Sequence, residues 1–114
     1  MPKSVIKEYK EIEYAFGSGE VPAKPQPGEM FVFYGPEGDI ESVDFLCPCG
    51  CGSTCYTPLV PEGTPRHTRQ WMYKREPSGS LTLIPSIRYT GGCFAHFNIT
   101  DGKVIMHGDS GVKC

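Results

Sequence analysis

The sequence predicts a small, mostly β domain built from antiparallel strands, and three observations carry that reading. Fourteen glycines and eleven prolines are spread through 114 residues, which leaves little room for a long helix. Between them lie short runs rich in aromatic and β-branched residues, the composition that suits a pleated, half-buried surface. Third, "HFNITDGKVIMH" (96–107) sets an Asp-Gly pair between two apolar runs, and such a pair supplies the positive backbone angles of a tight hairpin turn.

The elements follow in order along the chain. In the opening stretch, Val5, Ile6, Tyr9, Ile12 and Phe16 fall near one helical face, yet the same β-branched residues suit an extended edge strand. A short N-terminal helix and a strand both remain open there. Residues 17–29, rich in Gly and Pro, read as a surface connection. "EMFVFYG" (29–35), the turn signal "PEGD" and "IESVDFLC" (40–47) predict a hairpin that runs into a group of cysteines. Further strands are expected at 54–60, 70–76, 81–87, 94–100 and 103–108, with "EPSGS" and "TDG" joining neighbours. Trp71 and Tyr73 share one face of their strand and read as core, or as a rim for a bound tail. With no internal repeat and no second boundary, residues 1–114 form a single domain.

Composition excludes some partners. Apolar residues make up 39%, enough for a modest core, and a net charge of −2 offers no basic stripe to neutralise phosphates, so nucleic acid is not an expected partner. No segment reaches the roughly 18 apolar residues of a membrane span, and the charged opening stretch carries no signal-peptide run, so a cytoplasmic protein without a membrane role is expected.

Six cysteines then ask for a chemistry. Cys47, Cys49, Cys51 and Cys55 fall close together, Cys93 lies far along the chain and Cys114 is its last residue. In a reducing compartment such clustering points to metal ligation, and zinc is the expected ion. "CPCGCG" (47–52) offers closely spaced thiols, and "CFAH" adds Cys93 with His96. Two ligand sets stay open. One joins two of the three clustered thiols, with Cys47 and Cys49 preferred, to Cys93 and His96. The other uses Cys47, Cys49, Cys51 and Cys93 and leaves His96 for other work. An iron–sulfur cluster is a rival, although a Rieske arrangement wants histidine where Cys49 stands. Cys55 reads as a buried apolar residue, and Cys114 as a terminal thiol.

The ordered set "CPCGCG", Trp71, "LTLIPSI" and "GCFAHFNITDGKV" resembles the small phage and bacterial-operon proteins grouped as domain-of-unknown-function family 6527, over residues 45 to about 109. Some members stand beside genes for ubiquitin-like proteins and their conjugating enzymes. The resemblance implies a hydrolase, a serine peptidase acting on a ubiquitin-like protein or its C-terminal tail. By the same resemblance Ser86 would be the nucleophile and His96 the base that accepts its proton. Serine needs such a base within hydrogen-bond reach. If 81–87 and 94–100 are adjacent antiparallel strands, the two side chains can meet on one face, unless a bulge at "GG" spoils the count. Asp101 and Asp109 are the carboxylates available to orient the imidazole, and N–H groups near Gly91 and Gly92 are available for an oxyanion. The competing function is a non-enzymatic zinc-binding adaptor in which His96 is a ligand. His67 reads as an exposed residue, and Ser110 of "GDSG", after His107, as a loop residue.

Overall fold

The computed structural model describes residues 6–17, 19, 24–64, 70–88, 93 and 95–108. Eight strands form one curled sheet in chain order: β1 (Lys10–Tyr14), β2 (Glu29–Tyr34), β3 (Ile40–Leu46), β4 (Thr54–Pro61), β5 (Trp71–Arg75), β6 (Leu81–Arg88), β7 (His96–Thr100) and β8 (Lys103–Met106). The mostly antiparallel β domain is thus the observed class, with parallel pairing only at β1–β2 and β4–β5. Among the described residues there is no helix. Of the two readings of the opening stretch, the strand holds over Lys10–Tyr14. Ile12 and Tyr14 alternate with Glu11 and Glu13, and Ile12 and Tyr14 lie opposite Phe31 and Phe33, where the Tyr14 ring stacks on Phe33 at 5.4 Å. A period of two therefore wins over the sparse helical spacing.

The sheet curls because β4 serves both halves. Its first residues pair with β3 and its last three, Leu59 to Pro61, pair with β5. At the far edge, Glu8 bridges Lys103, and the Val104 N–H donates to the Lys7 carbonyl at 2.8 Å, so the segment before β1 meets β8. The enclosed side is apolar. Met30, Val32, Val43 and Phe45 from the first half face Leu81, Leu83, Phe97 and Ile99 from the second, and the Phe45 and Phe97 rings meet edge to face at 6.3 Å. Removing such apolar surface from water contributes roughly 25 cal/mol per Å² to stability. Polar ties lock the halves from outside the core: Arg75 on β5 pairs with Glu11 on β1 at 2.6 Å, and Glu11 also accepts the Leu81 N–H at 3.0 Å.

The two strands that matter most here are β6 and β7. In β7 Phe97 and Ile99 are buried while His96 and Asn98 turn outward. The β6 register slips between Leu83, opposite Ile99, and Ile87, opposite Phe97, so four steps on β6 span two on β7. The irregularity lies in β6, at the segment holding Ile84 and Pro85, whose joining peptide bond is cis. Because it adds two residues, Leu83 and Ile87 both stay buried and Ser86 keeps the outward face. Pro85 has no N–H to contribute and suits an unpaired position.

Candidate functional site

The thiol cluster is built by two connections. Glycine makes the first possible: Gly50 and Gly52 adopt φ values of 86° and 85°, which residues with a Cβ rarely reach, and the loop turns sharply enough to aim alternate cysteines at one point. Single-residue spacing, which looks too tight for three ligands on one tetrahedron, is accommodated in this way. Cys93 enters from the β6–β7 connection. The four sulfurs of Cys47, Cys49, Cys51 and Cys93 lie within 4.8 Å of one another, with Cys47 Sγ 3.4 Å from Cys49 Sγ and 3.6 Å from Cys93 Sγ. A tetrahedral zinc with bonds of about 2.3 Å sets its sulfurs about 3.8 Å apart, so the donor set fits that ion in number, type and spacing. Neither spacing is a disulfide, which would need about 2.05 Å. His96 is not in this group. Cys55, in β4, is buried in the core.

The electrostatics of the metal-free thiols are uneven. Hydrogen bonding to Cys55, with burial, pushes the Cys47 thiol up, and burial does the same to Cys49 and Cys93. Burial also opposes ionisation of Cys51, but hydrogen bonds from the backbone and hydroxyl of Ser53 outweigh it and bring that thiol down to about 6. Cys51 is therefore the first thiolate the loop presents, and a cation that binds must displace protons from its companions.

On the outer face of β6 and β7, Ser86 Oγ lies 3.0 Å from Nε2 of His96. Arg88 is directly opposite His96, and its guanidinium reaches Nδ1 of the same ring at 3.3 Å. A guanidinium only donates, so this contact asks Nδ1 to accept and favours the tautomer with its hydrogen on Nε2, facing Ser86. From β5, the Trp71 indole N–H donates to the Ser86 carbonyl at 3.3 Å and fixes the backbone beneath the hydroxyl. On the β8 side, the rings of His96 and His107 stack at 3.9 Å with 8° between their planes. His107 Nε2 in turn meets Asn98 Oδ1 at 2.5 Å.

A family model described as "Bacterial ubiquitination-like system serine protease (BubE)" matches residues 18–107. The chain belongs to the BubE family. The residues of the sequence resemble domain-of-unknown-function family 6527, and the match names BubE instead; both point to a serine protease of a ubiquitin-like system. No curated protein and no solved structure matches the chain.

The matched span takes in the thiol cluster, Ser86, His96 and His107 and ends before Asp109. Of the two carboxylates considered for this BubE chain, Asp101 sits in the β7–β8 turn with φ 53°, five residues along the strand from His96, or about 16 Å at strand rise. Its carboxylate accepts from the Ser78 hydroxyl, so the structure places Asp101 away from the imidazole. Asp109, Ser110, Cys114, His67, Gly91 and Gly92 lie outside the described residues. Trp71 and Tyr73 are half-buried against the core, and the Tyr73 hydroxyl accepts the Ile40 N–H at 3.0 Å, which makes them packing residues. Arg88, Asn98 and His107 carry no sequence signal of their own. Only the cross-strand register brings them to His96. Among the described residues, no helix is long and apolar enough to cross a membrane.

Proposed function

We propose that this chain is a serine peptidase that cleaves a peptide or isopeptide bond at the C-terminal tail of a ubiquitin-like protein, with Ser86 as nucleophile and His96 as base. The 3.0 Å approach of Ser86 Oγ to His96 Nε2 carries the reading. The four-thiol group supports it, since that group supplies a full tetrahedral donor set without His96 and leaves the imidazole for proton transfer. Zinc held by Cys47, Cys49, Cys51 and Cys93 would brace the fold as a structural ion.

In the reaction, Ser86 Oγ attacks the scissile carbonyl carbon while its proton passes to Nε2 of His96. The C–N bond then breaks and the leaving amine takes that proton from Nε2. Water next attacks the acyl-serine ester, giving a proton to Nε2; the ester C–O bond breaks, Nε2 returns that proton to Ser86 Oγ, and the tail leaves as an acid that ionises to the carboxylate. Nε2 must offer a lone pair at the outset, so the ring works as the tautomer with hydrogen on Nδ1. The tail lies across an open sheet face whose exposed neighbours include Pro85 and Ile105.

The test pairs two measurements. A bacterial ubiquitin-like protein carrying a short C-terminal extension is incubated with the protein and with Ser86→Ala and His96→Gln, and the released peptide is weighed. Ser86→Ala should abolish release, and His96→Gln should slow it by about 100-fold or more. Native mass spectrometry should show equal zinc per chain in the parent and in His96→Ala. Zinc lost from that variant would make His96 a ligand and turn the chain into the binding adaptor.

A further inference from the structure

Resting on the peptidase reading, we propose that His107 is a positioning residue for His96, a flat clamp on the base that Asn98 holds in place. Three observations on the outer face of the sheet carry this. The His107 N–H donates to the His96 carbonyl at 2.9 Å, which sets His107, the residue just after β8, beside His96 at the start of β7. Their rings then lie parallel, 3.9 Å apart. The far edge of the His107 ring is tied down, because Nε2 meets Asn98 Oδ1 at 2.5 Å.

The face reads as two rows across three strands. Arg88, His96 and His107 form one row; Asn98 and Ile105 are paired in the next, and continuing the β6–β7 register sets Ser86 beside Asn98. An outward imidazole on a strand can swing about its two side-chain torsions. Contact along its whole flat side with a second, anchored ring removes most of that swing and keeps Nε2 aimed at Ser86 Oγ. Such alignment matters because a misplacement of about 1 Å at a reacting atom costs about 100-fold in rate. The clamp also suits the charged stage. When His96 takes the serine proton, its cation faces the π surface of a ring whose N–H is drawn toward an amide oxygen, and a cation over such a face is attracted. Asn98 can only accept through Oδ1, so the hydrogen of this bond lies on Nε2 of His107.

The experiment uses the full zinc-loaded chain and a biotinylated fluorophosphonate, which needs no identified substrate. Ser86 Oγ bonds to phosphorus, the P–F bond breaks, fluoride leaves and the serine proton passes to His96. Labelling is followed over a range of probe concentrations for the parent, Ser86→Ala, His107→Ala, His107→Phe and Asn98→Ala, with zinc per chain and thermal midpoint recorded for each. The saturating rate of His107→Ala should fall about 10- to 100-fold with half-saturation unchanged. His107→Phe, which restores a flat ring, should recover most of that loss, and Asn98→Ala should fall between. Parent-like labelling by His107→Ala overturns the clamp, as does a His107→Phe variant that stays as slow as His107→Ala with zinc and midpoint intact. Should His107→Ala lose its fold, parent-like labelling by Asn98→Ala overturns the proposal and slowed labelling supports it. Labelling that persists in Ser86→Ala instead defeats the peptidase reading beneath it, and the two failures are thereby distinct.

Discussion

Arg88 touches His96 on the ring nitrogen that a serine peptidase normally gives to a supporting carboxylate. Its guanidinium is a donor without an acceptor, so the contact favours the tautomer in which Nε2 holds the hydrogen, while catalysis needs the lone pair there. In the proposed reaction this contact works against His96 as the base. Arg88→Ala should then raise the fluorophosphonate labelling rate of Ser86 about fivefold, the worth of one ordinary hydrogen bond of about 1 kcal/mol. A rate that stays level or drops would show that Arg88 serves the site in another way. At this scale the sequence was partly legible. Cys47, Cys49, Cys51, Cys93, Ser86 and His96 stand out as chemical types near turns and strand ends, and the structure brings the cysteines into one group and Ser86 to His96. His107, Asn98 and Arg88 did not stand out, because ring stacking and row neighbours depend on a register that local sequence does not encode.

Among the elements, β3 carries a cost that its sequence hides. Asp44 points to the outer face between Phe31 and Tyr56, and its Oδ1 is buried with no hydrogen-bond partner among the described residues. Burial raises its carboxyl above the usual range. A raised folded value means that the fold prefers the protonated acid, so the charged form burdens stability above that range and the burden fades as pH falls through it. Asp44→Asn should accordingly melt higher than the parent at pH 7, with the gap closing near pH 4. Equal midpoints at pH 7 would mean that Asp44 is solvated well enough in solution to cost nothing. Strand existence itself was easy to read. Every expected run became a strand because turn residues bracket each one, and the Asp101–Gly102 turn adopts the positive angles its letters imply, φ 53° and 75°. The irregularity in β6 was not readable in its place. The two-residue excess near Pro85 appears only when β6 and β7 are paired, and the "GG" considered for a bulge lies outside the described residues.

The whole molecule joins the four-thiol group to His96 through one short connection. Cys47, Cys49 and Cys51 belong to the β3–β4 loop in the first half of the sheet, Cys93 to the β6–β7 connection in the second, and His96 opens β7 three residues after Cys93. An ion on these sulfurs would tie the halves together and at the same time fix the approach of the chain to His96. Small domains with modest cores depend on such staples, and metal bound only by the folded state adds its binding free energy to folding. Stripping zinc with a strong chelator should lower the melting midpoint by about 10 °C or more, since about 2 kcal/mol is enough for that in a domain near this size. It should also slow fluorophosphonate labelling of Ser86 at 25 °C, where a metal-depleted chain still shows strand signal by circular dichroism, and added zinc should return both. Unchanged midpoint and rate after verified zinc removal would sink the staple. A lower midpoint with an unchanged rate would confine zinc to stability, and His96 would then owe its position to the strand pairing and to its neighbours on the sheet face.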